Sequence, residues 1–82
     1  MYCVYLIKSL KFPNQTYVGF TKNLKNRLEC HNSGSSPHTA KYKPWSLEVY
    51  LNFTSEKKAI EFEKYLKSQS GRLFAKKRLW PE

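Results

Sequence analysis

The chain contains no aspartate, and its six acidic residues are all glutamates, at positions 29, 48, 56, 61, 63 and 82. A hydrolytic centre that holds two metal ions normally draws on a cluster of carboxylates. Metal-assisted chemistry here must therefore rely on one or two glutamates. Cysteine is scarce as well: Cys3 and Cys30 stand alone, with no CxxC pair, which argues against a disulfide framework and for two reduced thiols. A zinc site from Cys3, Cys30, His31 and His38 would need a spacing that no standard ligand pattern has. No apolar run approaches the ~20 residues that cross a bilayer. The N-terminal segment reads as a strand instead of a signal peptide. These absences lead to the expectation of a cytoplasmic protein that does not engage a membrane.

What the chain does have is positive charge and rings. Fifteen Lys and Arg against the six glutamates give a net charge of +9, a field that attracts polyanions, with nucleic acid the commonest candidate. Charge alone does not separate that reading from a basic surface with no such partner. Six tyrosines, five phenylalanines and two tryptophans let a short chain bury enough apolar area for a core, since each ring covers about 150–250 Å². At 82 residues the chain reads as one domain spanning 1–82.

YCVYLIK (2–8) is rich in β-branched and aromatic residues, the pattern of a strand covered on both faces. KFPNQ (11–15) carries a Pro-Asn turn signal, and TYVGF (16–20) reads as the second strand of a hairpin. Thr21 is placed to cap a helix over about 22–32, with Leu24 and Leu28 one turn apart. NSGSSPHT (32–39) reads as a loop. WSLEVYLNF (45–53) alternates, which predicts a half-exposed strand with Trp45, Leu47, Val49, Leu51 and Phe53 on one face. Thr54 or Ser55 caps a second helix to about residue 68, with Glu56 in its first turn. SQSG (68–71) is expected to break it before a short basic helix, RLFAKKRLW. The order β-β-α-β-α-α predicts a small α+β domain with an antiparallel or mixed three-stranded sheet.

Several residues fit a packing role poorly. On the second predicted helix, Glu63 shares a face with Ala59, Phe62 and Leu66, so its carboxylate is carried towards the protein body. A buried carboxylate without partners is costly; Glu63 is either an edge residue paired with a lysine, or a metal ligand or acid-base group. Arg27 and His31 project from neighbouring turns of the first helix, either as an amphipathic boundary with a C-terminal histidine or as functional groups. Tyr17 and Gly19 share a face of the second strand, with Tyr5 on the first. Glycine within a strand often marks close approach of a backbone or ligand, and the tyrosines are otherwise ordinary sheet aromatics. Trp45 is assigned to the core by its period-two position, whereas Trp80 is left open between packing and stacking on bases. Together, two phenols, a guanidinium, an imidazole and a carboxylate form a workable kit for phosphodiester hydrolysis.

These residues resemble the pattern of the GIY-YIG nuclease domain. Its two tripeptides correspond to Cys3-Val4-Tyr5 and Tyr17-Val18-Gly19 on a strand hairpin, its helical arginine to Arg27 and its metal-binding glutamate to Glu63. The segments His31-Asn32-Ser33-Gly34, Thr39-Ala40-Lys41-Tyr42 and Glu63-Lys64-Tyr65-Leu66-Lys67 resemble small single-domain bacterial members most. The resemblance implies a three-stranded antiparallel sheet flanked by helices and a DNA endonuclease that uses one Mg²⁺ or Mn²⁺ ion. Water would attack to leave 5′-phosphate and 3′-hydroxyl ends. Tyr5 and Tyr17 would position and deprotonate the water, Arg27 would steady the phosphate, Glu63 would hold the ion, and His31 would assist as general base. Gly19, Lys22, Asn32, Thr39, Lys41 and Lys67 are the matching candidates for substrate binding. Cys3 replaces the first glycine of the pattern. Phe20 stands where the repair incision subunits carry a lysine, which leaves open whether Lys22 takes its place.

Three function classes are thus carried forward. The first is a metal-dependent endonuclease acting on DNA in repair or processing, with RNA as a second candidate substrate. The second is a catalytically weak nucleic-acid-binding module of the same fold that needs a protein partner for targeting. The third is an interaction protein whose charge is incidental. A monomer or weak dimer is expected in each case.

Overall fold

The computed structural model describes residues 1–81. In chain order the elements are β1 (Tyr2–Ser9), β2 (Thr16–Thr21), α1 (Leu24–Ser33), α2 (Pro37–Ala40), β3 (Trp45–Phe53), α3 (Glu56–Lys67) and α4 (Gln69–Arg78). The three strands form one antiparallel sheet in the order β2-β1-β3, so the α+β class and the sheet are as expected. No helix among the described residues is long and apolar enough to cross a membrane.

The central position of β1 explains its unbroken apolar run. Cys3 to Ile7 are all buried, because each face of the strand meets a different layer. Val4 and Leu6 pack with Ala59 and Leu66 of α3 and Ala75 of α4. Cys3, Tyr5 and Ile7 point the other way, towards Trp45 and the Leu24 and Leu28 side chains of α1. Burial of each large side chain contributes about 1.5–3 kcal/mol, so both faces of this strand help to hold the domain together.

β3 departs from the expected alternation. Leu6 pairs with Val49 but Ile7 pairs with Leu47, leaving Glu48 as an extra residue at a register shift. One inserted residue exchanges the two faces of the strand. Val49, Leu51 and Phe53 therefore join the α3–α4 core, while Trp45 and Leu47 join the core beneath α1. The five residues expected on one face are split between two. Ser46 Oγ donates to Glu48 Oε2 at 2.8 Å, which gives the displaced carboxylate a local partner.

The helix boundaries differ from expectation for equally local reasons. Thr21 does not cap α1; its hydroxyl accepts from the Asn23 N–H, and Asn23 caps the helix by accepting from the Asn26 N–H at 3.1 Å. The stretch 32–39 is not all loop: α1 runs to Ser33, and the short helix α2 begins within it, entered through Ser36 with Pro37 at its first position, where proline's missing N–H costs nothing. The break between α3 and α4 is Ser68 alone. Its hydroxyl donates to the Tyr65 carbonyl and accepts from the Gly71 N–H, ending one helix and starting the next.

Gly71 accordingly lies inside α4 instead of breaking the chain. A Cβ there would stand 1.7 Å from the Tyr65 carbonyl oxygen and 2.7 Å from Leu66 Cα, so only glycine allows α4 to fold back this tightly. In an ordinary helix interior Gly→Ala stabilises by about 1 kcal/mol. Here overpacking against backbone, typically about 1–3 kcal/mol, outweighs that gain. Gly71→Ala is expected to lower the thermal midpoint, and a midpoint equal to or above wild type in a calorimetric scan would contradict this packing.

Candidate active site

The site grows from the face of β1 that carries Tyr5. Across the hairpin Tyr5 pairs with Gly19, and Tyr17 pairs with Ile7, two residues along on the same face. A Cβ on Gly19 would fall 2.3 Å from the Tyr5 hydroxyl oxygen. The glycine therefore provides the space in which the Tyr5 ring lies across β2. It is buried, and its observed neighbour is the Tyr5 ring.

α1 covers this face with Leu24, Arg27, Leu28 and His31, at the i, i+3, i+4 and i+7 positions of a packing stripe. Two positions of that stripe hold polar groups in place of leucines. His31 is 0% exposed and Tyr5 1%, and they meet with Tyr5 Oη 2.8 Å from His31 Nε2. On the far side of the imidazole, Nδ1 lies 2.8 Å from Thr39 Oγ1, and Thr39 donates to the Ser36 carbonyl at 3.4 Å. With its proton used there, Thr39 accepts from His31 Nδ1–H. His31 Nε2 is then the acceptor for the Tyr5 hydroxyl proton. Arg27 Nε–H donates to the same phenol oxygen at 3.3 Å.

Electrostatics follow from this burial. Desolvation, and then the nearby Arg27 charge, pushes the His31 pKa down from its ordinary value, so the ring stays a neutral acceptor. Burial raises the Tyr5 pKa, opposed by the hydrogen bond from Arg27. The Tyr5 hydrogen bond in turn raises the Arg27 pKa, keeping the guanidinium charged. Tyr17 is the phenol that reaches solvent. Its ring stands 6.3 Å from Tyr5 and meets His31 edge-on at 5.1 Å.

Glu63 sits on α3 at the same relation to Ala59, Phe62 and Leu66, and α3 lies over β1 and β2. Its side chain is 15% exposed and paired with Lys67 Nζ at 2.6 Å. Lys67 also rests 5.8 Å above the centre of the Tyr17 ring. Glu63 is thus linked through Lys67 to the outer phenol, not directed into bulk solvent. Among the described residues no group of three or more His, Cys, Asp or Glu converges. A divalent ion here would find one hard carboxylate ligand, which suits Mg²⁺ or Mn²⁺ that keeps most of its waters. Lys67 would have to release that carboxylate.

The remaining sequence candidates are placed elsewhere. Thr39 is 2% exposed and supports His31 through its hydroxyl. The Asn32 amide clamps the backbone of Trp45, donating to its carbonyl and accepting from its N–H, so it is a structural tie between α1 and β3. Lys22 pairs with Glu56 at 3.3 Å and sits over Tyr2, and Lys41 lies over Tyr42. Sequence reading missed α2, and with it the partner of His31. The Ser36-Pro37 pair, a helix-start signature, was the available signal.

Arg27 has no carboxylate in ion-pair range among the described residues; its polar partners are the phenols Tyr5 and Tyr17. A charged guanidinium held by two phenols next to a neutral imidazole, with one shielded carboxylate linked through Lys67 to the outer phenol, is the equipment of a phosphoester-handling site. A family model of the GIY-YIG catalytic domain matches residues 1–78, and the chain belongs to this family. It is 37% identical over 68 residues to the structure-specific endonuclease subunit slx1 of Talaromyces marneffei, a match covering 76% of this chain and 18% of that protein. Its identity to the SLX1 subunit of Malassezia globosa is 36%, over 77% of this chain and 15% of the relative. For Candida dubliniensis SLX1 it is 38%, over 76% and 24%. The chain therefore spans about a fifth of the length of these curated relatives. They are eukaryotic and several times longer, which overturns the expected likeness to small bacterial members.

The state of His31 has a consequence for stability. Its pKa is lowered in the folded chain relative to about 6.5 unfolded. Below pH 6.5 the unfolded chain takes up a proton that the folded chain refuses, so stability falls with pH. The slope is at most about 1.4 kcal/mol per pH unit. Urea denaturation between about pH 7.5 and 5.5, above the ordinary carboxylate range, is expected to show this loss in wild type and a flatter profile in His31→Gln. Equal wild-type stability across that window would show that His31 is not held neutral.

Proposed function

We propose that residues 1–82 form a nuclease domain that hydrolyses phosphodiester bonds in DNA, assisted by one Mg²⁺ or Mn²⁺ ion held by Glu63. The observation that carries the reading is Arg27: a charged guanidinium anchored to the phenols Tyr5 and Tyr17, with no carboxylate partner among the described residues, so that a phosphate can take the place of its counter-ion. Membership of the GIY-YIG family supports it, as does similarity to structure-specific endonuclease subunits.

In this mechanism Arg27 binds the non-bridging oxygens and stabilises the charge that builds on them as the phosphorus becomes five-coordinate. Tyr17, the solvent-reaching phenol, orients the attacking water. The water's proton has a path inward, because Tyr5 can accept it while passing its own proton to His31 Nε2, 2.8 Å away. His31 is buried and reaches the water only through Tyr5. Attack at phosphorus expels the 3′ oxygen, which takes up a proton and leaves the phosphate on the 5′ side. The ion, when bound at Glu63, supplies electrophilic assistance to the phosphate. The relatives' names, structure-specific endonuclease subunits, support two further parts of the reading: a substrate chosen by the structure of the DNA, and a protein partner.

Cleavage of branched and supercoiled DNA with Mg²⁺ or Mn²⁺ tests the reading. Arg27→Ala is expected to slow cutting by about 10²–10³-fold, the range for loss of one transition-state donor. Glu63→Gln should abolish the metal dependence along with the activity, and chelation should stop wild type. Undiminished cutting by Glu63→Gln would sink the assignment, and DNA binding without cutting at any metal concentration would point to a binding module instead.

A further inference from the structure

A groove of about 880 Å³, bordered by Tyr17, opens between the β1–β2 loop and α4. Its cations come from three elements: Lys8 of β1, Lys67 of α3, and Arg72 and Lys76 of α4. Among the described residues no acidic side chain lines it. Val18, Leu66 and Ala75 give it an apolar floor. At one end is Tyr17, and Trp80 lines the groove while packing its other side on the α3–α4 core. The sheet face carrying Tyr5 uses none of Lys8, Arg72, Lys76 or Trp80.

We infer that this groove binds an unpaired DNA strand and feeds it to the site past Tyr17 and Lys67. The inference rests on the nuclease reading for its direction but not for the binding itself. Four cations around an apolar floor match a ligand that is anionic along one edge and flat and apolar along the other. A single strand offers both, with phosphates for the lysines and arginine and exposed base faces for Trp80 and Tyr17. A duplex has its base faces stacked on one another and could use only the charges. Continuity with the catalytic face comes from two side chains shared between them: Tyr17 borders the groove and the His31 ring, and Lys67 borders the groove and Glu63. The substrate implied is DNA with a single-stranded arm next to the bond that is cut.

Fluorescence anisotropy with a short labelled oligothymidine, and with a duplex of equal length, tests this in EDTA, where no cutting occurs. Wild type is expected to prefer the single strand, with affinity falling steeply with salt. Arg72→Ala/Lys76→Ala, both exposed positions, should weaken binding roughly tenfold and flatten the log–log salt slope by about 1.4, two phosphate contacts at about 0.7 each. Trp80→Phe should remove the change in tryptophan emission on binding, because Trp45 is buried in the other core. Wild-type affinity in the double variant, or equal binding of duplex, would overturn the inference. The two readings fail separately. Groove-dependent binding by a protein that cuts no DNA refutes the nuclease and supports the groove, whereas a double variant that binds and cuts like wild type refutes the groove and leaves the nuclease.

Discussion

The hydrogen bond from Tyr5 to His31 joins the central strand to the first helix inside the protein, and much of the surrounding structure exists to make that bond affordable. Two polar groups without water are costly unless every donor and acceptor is matched. Here the phenol oxygen also receives Arg27 and the imidazole's other nitrogen meets Thr39. Thr39 is in place because α2 turns beneath α1, and the Trp45 indole N–H donates to the Thr39 carbonyl, tying α2 to β3. Gly19 leaves the room that the Tyr5 ring occupies. No buried side-chain nitrogen or oxygen among the described residues is left unpaired.

Both functional helices use one device. In α1 the packing stripe reads Leu24, Arg27, Leu28, His31, and in α3 it reads Ala59, Phe62, Glu63, Leu66. The charged or titratable member is held by the same apolar neighbours that fix the helix on the sheet. Its position is then as well defined as that of a core residue, which is what a catalytic group requires. The remaining charge lies outside these stripes, and among the described residues that line the groove beside Tyr17 it is all positive.

Much of this was legible beforehand. The hairpin and the order of the strands and helices, α2 apart, follow from periodicities of two and 3.6 that local sequence carries, whereas Tyr5, Tyr17, Arg27, His31 and Glu63 were grouped by their chemistry and by the resemblance to the GIY-YIG pattern. Other features were not. The split of β3 between two cores depends on one extra residue, Glu48, whose insertion is decided by pairing with β1. The burial of Thr39 depends on a four-residue helix too short to leave a periodic pattern. Gly71 reads as a breaker in isolation and acts as a close-packing residue only because α4 turns back against the Tyr65 carbonyl.

By itself, then, the sequence determined the sheet, the sign of the charge, the single-carboxylate character of the site and the helix faces from which its groups project, because these depend on residue type and on neighbours a few positions away. Only the tertiary structure decided which phenol meets solvent, that His31 reaches the site through Tyr5, that Lys67 occupies Glu63, and that Lys8, Arg72, Lys76 and Trp80 share one groove. Those facts are distances between residues far apart in the chain, and they are set by how the two layers pack against β1, not by any local pattern.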